Sequence, residues 1–135
     1  MAAPAGTTAP RLTRKGPTMN DLIGTYLEAW NETDPARRQK LIAEVFADDA
    51  QYTDPLAEVR GRGAIDALIG AVQEQFPGFV FTPAGPVDTH HQQARFTWGL
   101  GPEGAEPVVI GFDVAVTGED GRIASVYGFL DKVPA

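Results

Sequence analysis

The chain has 135 residues, a formal net charge of −7, a hydrophobic fraction of 43% and no cysteine. This length corresponds to a single domain with room for a small ligand cavity, and the lack of cysteine excludes disulfides and thiolate chemistry and is typical of a cytoplasmic protein. The acidic charge argues against nucleic acid and anionic membranes as partners, and no apolar run is long enough to span a bilayer.

The first predicted elements are an N-terminal arm and a helix. Residues 1–18 are rich in Ala, Pro, Thr and Gly, which predicts a disordered arm ahead of a single domain at 19–135. Within that domain, apolar residues that include Tyr26 and Trp30 recur at the spacing of one helix face. This periodicity predicts a helix over 20–31.

A second helix and a rigid corner follow. Asp34-Pro35 supplies an N-cap and a proline for the first helical position, so we expect the second helix to begin there. We interpret Phe46 as the end of this helix, Asp48-Asp49 as the turn out of it, and Gln51-Tyr52-Thr53 as a short strand. Asp54-Pro55 then places a carboxylate at the end of the strand, where proline restricts its backbone. Such a corner suits a general base, and it equally suits an ordinary turn.

The remaining elements are one helix and four strands. Gly61-Arg62-Gly63 leads into a third helix, which ends at Pro77-Gly78. The order of the elements is that of an α+β fold, in which a curved antiparallel sheet carries three helices on one face. The strands, connected by hairpins, are predicted over 79–87, 93–100, 108–117 and 123–130.

Asp113 lies in the strand predicted over 108–117. Bulky residues such as Phe112 occupy one face of this strand, which the helices or a second subunit must cover. Gly111, Asp113 and Ala115 occupy the other face, which leaves room for a cavity. A carboxyl buried there has a raised pKa and, when protonated, can donate a hydrogen bond to an oxyanion. The alternative is that Asp113 faces solvent on an ordinary strand, and the pattern leaves both open.

Several other side chains fit either a structural or a functional role. Tyr26, Trp30 and Trp98 lie in apolar patterns that are consistent with plain core or with the wall of a pocket. Arg95 either pairs with Asp113 inside a cavity or lies at the surface.

The two histidines, His90 and His91, are adjacent in a predicted hairpin. Neighbouring residues of a strand point in opposite directions, so the pair cannot ligate one metal ion together without a bulge. We therefore expect no metal site here.

Three segments resemble a known superfamily. They are Tyr26-Leu27-Glu28-Ala29-Trp30-Asn31, Phe46-Ala47-Asp48-Asp49-Ala50 and Tyr52-Thr53-Asp54-Pro55. These segments are similar to the N-terminal half of the superfamily built on the nuclear-transport-factor-two cone, which includes ketosteroid isomerases and SnoaL-like polyketide cyclases. The resemblance covers residues 19–133. It implies a cone-shaped α+β fold, with three N-terminal helices packed on the concave face of a curved antiparallel sheet.

Within that superfamily the closest functional match is to ketosteroid isomerase. Its site consists of a tyrosine of the first helix, the aspartate of an Asp-Pro pair and a strand aspartate, which correspond to Tyr26, Asp54 and Asp113 here. The resemblance implies that Asp54 shuttles a proton next to a carbonyl, while Tyr26 and protonated Asp113 stabilise the enolate oxygen, with no cofactor and no metal. The chain departs from the isomerases at Leu68-Ile69, where they carry a further tyrosine.

The resemblance thus predicts a small-molecule enzyme, an isomerase or polyketide cyclase acting on an apolar substrate, and a homodimer formed through the exposed sheet face. The alternative from a different class is a non-catalytic ligand-binding or dimerisation module on the same fold. A third possibility, epoxide hydrolysis by an Asp-Arg-Asp arrangement, needs Arg95 inside the cavity between two carboxylates. The expected substrate-binding residues are Trp30, Tyr52, Thr97, Ile69 and Phe129.

Overall fold

The computed structural model describes residues 18–134, and within them it has three helices and seven strands. The arm predicted to be disordered, residues 1–18, lies outside the described residues except for Thr18. In chain order the elements are α1 (Met19–Asn31), α2 (Pro35–Val45), β1 (Phe46–Thr53), β2 (Glu58–Arg60), α3 (Arg62–Gln75), β3 (Phe79–Pro83), β4 (Asp88–His90), β5 (Gln93–Pro102), β6 (Val109–Thr117) and β7 (Ile123–Lys132).

Helix α1 begins at a capping box. The Thr18 hydroxyl accepts a 3.1 Å hydrogen bond from the Asp21 N–H, and the Asp21 carboxylate accepts one of 3.1 Å from the Thr18 N–H. These two bonds satisfy N–H groups that the first helical turn leaves without partners. The predicted helix over 20–31 is confirmed, and its buried face carries Tyr26 and Trp30 towards the sheet.

The boundary between α2 and β1 differs from the expectation. Helix α2 begins as predicted, with Asp34 as N-cap and Pro35 in the first turn. It ends at Val45, however, and β1 starts at once with Phe46, so Asp48-Asp49 lie within a strand and not in a turn. Their side chains are exposed where the pairing of β1 with β7 shifts register, so two adjacent aspartates are tolerated there.

The strands form one curved, unclosed sheet in the order β2-β1-β7-β6-β5-β3, with β4 paired to β5. The α+β class is confirmed, and every pair is antiparallel except β1 with β7, which is parallel. The predicted strand over 79–87 ends at Pro83. The sequence analysis missed β2 and β4, because strands of three residues are too short to show an alternating pattern.

The core lies between the three helices and the inner face of the sheet. In β6 the inner residues are Val109, Gly111, Asp113 and Ala115, and the residues between them face outwards. None of the helices in the described residues is long and apolar enough to cross a membrane.

A buried arginine joins the helices behind the core. Arg38 of α2 is only 8% exposed and donates a 2.6 Å hydrogen bond to Asp66 of α3. It also donates to the Gln73 side chain at 2.9 Å and to the Glu32 carbonyl at 3.2 Å. A buried charge needs this full set of partners, so Arg38 is part of the scaffold and not of a site.

Candidate active site

A cavity of about 260 Å³ lies between the helices and the inner face of the sheet. Its wall is mainly apolar, and Leu56, Phe129 and Val133, which are 85%, 51% and 56% exposed, are among the residues that line it. The cavity is slightly smaller than the roughly 300–1,000 Å³ typical of sites for drug-sized ligands. Its polar side chains are those of Tyr26, Tyr52, Asp54, Gln75 and Asp113, together with the indoles of Trp30 and Trp98.

The first polar pair in the cavity is Tyr26 and Asp113. Tyr26 comes from the buried face of α1, and Asp113 comes from the inner face of β6. The Tyr26 hydroxyl donates a 2.7 Å hydrogen bond to Asp113 Oδ2, and the two residues are only 1% and 3% exposed. The cavity-facing orientation of Asp113 is therefore the one that the structure adopts.

The surroundings of Asp113 favour its neutral form. Burial raises the pKa of Asp113 to about 6 and outweighs the opposing effects of the Tyr26 hydroxyl and, more weakly, the Trp98 indole; the nearby Asp54 charge raises it further. Burial likewise raises the pKa of Tyr26 well above its usual value, so Tyr26 stays protonated. The second carboxyl oxygen, Asp113 Oδ1, has no hydrogen-bond partner.

The second polar pair is Tyr52 and Asp54. Asp54 Oδ1 accepts hydrogen bonds of 2.8 Å from the N–H groups of Leu56 and Ala57, and Oδ2 accepts one of 2.7 Å from the Tyr52 hydroxyl. The first two bonds make a turn in which the aspartate side chain caps its own backbone. Burial raises the pKa of Tyr52, so its hydroxyl remains a donor. The predicted rigid corner at Asp54-Pro55 is confirmed.

The two pairs meet at Gly128 of β7. Gly128 is the cross-strand neighbour of Asp113. A Cβ atom at Gly128 would stand 2.8 Å from Asp113 Oδ1 and 3.2 Å from Asp54 Cβ, so both side chains flank this glycine. The sequence analysis did not single out Gly128, although a glycine inside a strand pattern is a signal that other atoms approach the backbone closely.

The predicted substrate-binding residues divide into two groups. Trp30, Tyr52 and Phe129 line the cavity. Ile69 and Thr97 do not: Ile69 is fully buried in the core, and Thr97 lies on the outer face of β5 beside Phe112. Alternation along β5 causes the second difference, because Phe96 and Trp98 take the inward positions and direct Thr97 away from the cavity.

The other chemical candidates lie at the surface. Arg95 forms a 3.2 Å ion pair with Asp88, and both side chains are about two-thirds exposed, at 65% and 67%. Arg95 therefore does not neutralise Asp113, and the Asp-Arg-Asp arrangement is absent from the described residues. His90 and His91 are exposed at the turn between β4 and β5. Within residues 18–134 no three His, Cys, Asp or Glu side chains group so that they could hold a metal ion.

Comparison with known proteins supports the assignment of the fold. The model of the SnoaL-like domain matches residues 23–126. No curated protein matches the chain significantly. The chain is similar to the crystal structure of a proposed isomerase of the SnoaL-like family from Agrobacterium tumefaciens, with 41% identity, a TM-score of 0.78, and coverage of 82% of this chain and 94% of that one.

Two more distant solved structures share the fold. One is a proposed polyketide cyclase from Sinorhizobium meliloti, with 21% identity, a TM-score of 0.64 and coverage of 80% and 93%. The other is a protein with a ketosteroid isomerase-like fold from Catenulispora acidiphila, bound to trimethylamine, with 20% identity, a TM-score of 0.65 and coverage of 82% and 85%.

The fold and the site together define an α+β protein whose curved sheet and helices enclose a small apolar cavity with two carboxyl groups inside it. The SnoaL-like domain model matches residues 23–126, which is most of the chain, and this match identifies the family. The protein belongs to the SnoaL-like family.

Proposed function

We propose that the protein catalyses proton transfer at a carbon next to a carbonyl group of a small apolar molecule, without a cofactor. Asp54 is the base, and Tyr26 and protonated Asp113 are the hydrogen-bond donors to the carbonyl oxygen. The observation that carries the proposal is the meeting of two carboxyl groups with opposite environments on either side of Gly128.

The two environments divide the roles. Asp54 accepts three hydrogen bonds, a set of partners suited to an ionised carboxylate. Asp113 accepts one and is 3% exposed, and its pKa is raised to about 6. Two like charges at close range oppose each other, so when one proton is available the buried group holds it. A ligand that expels water from the cavity favours the neutral form of Asp113 further.

The proposed reaction has two steps. Asp54 removes a proton from the carbon next to the carbonyl, and the electrons of the broken C–H bond form an enolate. In this step the Tyr26 hydroxyl turns from Asp113 Oδ2 to the enolate oxygen, which also receives a hydrogen bond from protonated Asp113. The two hydrogen bonds stabilise the charge where it develops. Asp54 then returns its proton to a different carbon in an isomerisation. In a cyclisation, the enolate carbon instead attacks a second carbonyl of the same molecule, whose π electrons move to its oxygen, and that oxygen takes the proton from Asp54.

The cavity indicates the kind of substrate. Its wall consists mainly of aromatic and aliphatic side chains, which bind an apolar body, and its volume of about 260 Å³ suits a molecule of one or two rings better than a steroid. The proposed assignments of the Agrobacterium tumefaciens protein as an isomerase and of the Sinorhizobium meliloti protein as a polyketide cyclase are consistent with this chemistry.

The proposal is tested by isotope exchange, which needs no knowledge of the natural product. Small cyclic ketones are incubated with the protein in D₂O, and loss of the α-hydrogen signal is followed by NMR. Asp54→Asn is expected to slow the exchange by about 10²- to 10⁴-fold, the usual contribution of a general base. Asparagine keeps an oxygen for the two N–H donors, so the turn and the affinity for a phenol, a stable mimic of the enolate, are expected to persist.

Asp49→Asn is the matched control, because Asp49 is an exposed residue of β1 that makes no contact with the cavity. It should leave the exchange unchanged. A protein that binds phenols but accelerates no exchange across the ketone panel would be a binding module, which is the alternative function on this fold. Equal exchange rates in the wild type and in Asp54→Asn would show that Asp54 is not the base.

A further inference from the structure

Both tryptophans of the chain, Trp30 and Trp98, lie in the cavity wall with an orphaned N–H group. In the described residues, three buried side-chain polar atoms have no hydrogen-bond partner, and they are Trp30 Nε1, Trp98 Nε1 and Asp113 Oδ1. Buried polar groups nearly always have partners, so three orphans around a single cavity require an explanation.

These atoms are not exposed for direct contact with a ligand. Each has almost no accessible surface, and the two tryptophan residues are 5% and 8% exposed. A molecule in the cavity would therefore touch the indole rings and not their N–H groups. The partners of the N–H groups must be sought within the protein.

The neighbours of the two indoles are the Tyr26–Asp113 pair. The Trp30 ring centroid lies 6.4 Å from that of Tyr26, and the Trp30 indole offsets part of the rise that burial causes in the pKa of Tyr26. Trp98 lies on the inner face of β5, on the same side of the sheet as Asp113 of the paired strand β6, and its indole offsets part of the rise that burial causes in the pKa of Asp113. Neither contact meets the geometry of a formed hydrogen bond.

A glycine in β6 allows the Trp98 indole to pack close to the backbone of that strand. Gly111 is the cross-strand neighbour of Trp98, and a Cβ atom there would stand 2.5 Å from Trp98 Cζ2. Any larger residue at this position would push the indole out of place. The close packing of Trp98 against Gly111, two residues before Asp113 on the same face of β6, is therefore a specific arrangement that both strands provide.

We propose that Trp98 and Trp30 are positioning residues, whose indole N–H groups support the Tyr26–Asp113 pair from its two ends. In this proposal Trp98 acts on the carboxyl group and Trp30 acts on the hydroxyl. Hydrogen bonds shorten and strengthen when the acceptor gains negative charge, so each N–H closes on its neighbour as that neighbour donates to an enolate. This catalytic consequence rests on the proposed function, whereas the positions of the two indoles do not.

The titratable groups that face Asp113 are few. They are Tyr26 from α1, with Tyr52 and Asp54 from β1 and the turn after it. The inner face of β5 presents Phe96 and Trp98, and that of β7 presents Gly128. A change in the titration of Asp113 can therefore be assigned to a small set of neighbours.

The first test follows the two indole N–H signals of ¹⁵N-tryptophan-labelled, ligand-free protein by NMR. The Trp98 signal is expected to move with a midpoint near pH 6, where Asp113 titrates, and to stop moving in Asp113→Asn. In Tyr26→Phe the Trp30 signal is expected to shift more than the Trp98 signal. If the Trp98 N–H chemical shift does not change between pH 5 and 7, the proposal is wrong, whether or not the protein is catalytically active.

The second test measures the carboxyl titration of Asp113 by ¹³C NMR in Trp98→Phe. Loss of an N–H donor to a carboxylate is expected to raise the midpoint by about one unit. A purely structural loss of packing would admit water and lower the midpoint. The direction of the change in the Asp113 midpoint therefore shows whether Trp98 acts as a donor or only as a packing residue. A lowered or unchanged midpoint would contradict the proposal.

Phe81→Leu is the matched control for this titration. The Phe81 ring packs against Trp98 with centroids 5.4 Å apart and lines the same cavity, yet it carries no donor. Its truncation should leave the Asp113 midpoint unchanged or lower it. If Trp98→Phe does not fold, the ¹⁵N measurement on the wild-type protein is sufficient to test the proposal.

The outcomes for this inference and for the proposed function can be distinguished. If the protein shows no exchange activity but its Trp98 signal still follows the titration of Asp113, the proposed function is refuted and this inference stands.

Discussion

Gly128 faces Asp113 across the β6–β7 pair, and a Cβ atom at position 128 would stand 2.8 Å from Asp113 Oδ1. The same atom would stand 3.2 Å from Asp54 Cβ, so the absence of a side chain lets the two carboxyl groups lie together. This pairing explains why the site needs a glycine in the middle of a strand.

Gly128→Ala is expected to separate Asp54 from Asp113. Since a displacement of about 1 Å can cost about 10²-fold in rate, we expect α-hydrogen exchange to fall by at least about 10-fold. Overpacking should lower the free energy of unfolding by about 1–3 kcal/mol, measured by urea denaturation. Gly24→Ala in α1 is the control, because its Cβ meets nothing within 4 Å and the change should stabilise the helix. Undiminished exchange in Gly128→Ala would show that the two carboxyls do not act together.

The buried carboxyl of Asp113 predicts a dependence of stability on pH. Its pKa is raised from 3.8 to about 6 on folding, so its contribution to stability is present below pH 3.8 and is lost as the pH rises through 6. Asp113→Asn removes this loss. The free energy of unfolding of Asp113→Asn minus that of the wild type is therefore expected to be about 2 kcal/mol larger at pH 8 than at pH 4.5. A difference that does not change with pH would mean that Asp113 titrates as in the unfolded chain.

The donor role of Asp113 predicts the pH profile of the reaction. Since Asp113 must carry a proton in the free enzyme, kcat/KM is expected to fall about tenfold per pH unit above pH 6. Tyr26→Phe removes a donor to the Asp113 carboxylate, so this midpoint should rise while the rate drops. The measurement is exchange rate against pH. A rate that increases through pH 6 would instead make Asp113 the base.

The ion pair between buried Arg38 and partly buried Asp66 predicts a large effect on stability. Arg38→Met leaves the Asp66 carboxylate, 19% exposed, without its 2.6 Å partner, and the loss of one member of such a pair costs about 3–5 kcal/mol. Arg95→Met is the control, because the Arg95–Asp88 pair is exposed and worth at most about 1 kcal/mol. Thermal and urea unfolding measure both. Equal losses in the two variants would contradict the structural role of Arg38.

The outer face of the sheet predicts a homodimer. Phe112 stacks on Phe129, which also borders the cavity, with ring centroids 4.9 Å apart, and Val114 lies opposite Tyr127, which is 46% exposed. Exposed apolar patches often mark protein interfaces. We expect light scattering to give twice the chain mass of 14.4 kDa, and Val114→Glu to give a single chain. A wild-type protein that remains monomeric at high concentration would refute the homodimer.

Some errors of the sequence analysis have a common physical cause. The pair Asp48-Asp49 resembled a turn because aspartate favours turns, yet it lies in β1, where the shift in register leaves both side chains in solvent. Thr97 is expected to bind substrate, yet it lies on the outer face of β5, because alternation separates the two faces of a strand without showing which of them points inwards. In both cases the deciding contacts come from strands distant in the sequence, and tertiary packing overrides local preference.

The sequence alone determined the three helices and the α+β class, because helical periodicity and the Asp34-Pro35 start are local features. The resemblance to ketosteroid isomerase, and not a local pattern, selected Tyr26, Asp54 and Asp113 as candidate site residues. The tertiary structure decided which of these residues meet. Only the folded sheet brings Asp113 within 2.7 Å of Tyr26, 87 positions away. Only it places Gly128 between the two carboxyls, because cross-strand pairing joins residues whose distance along the chain carries no information about their distance in space.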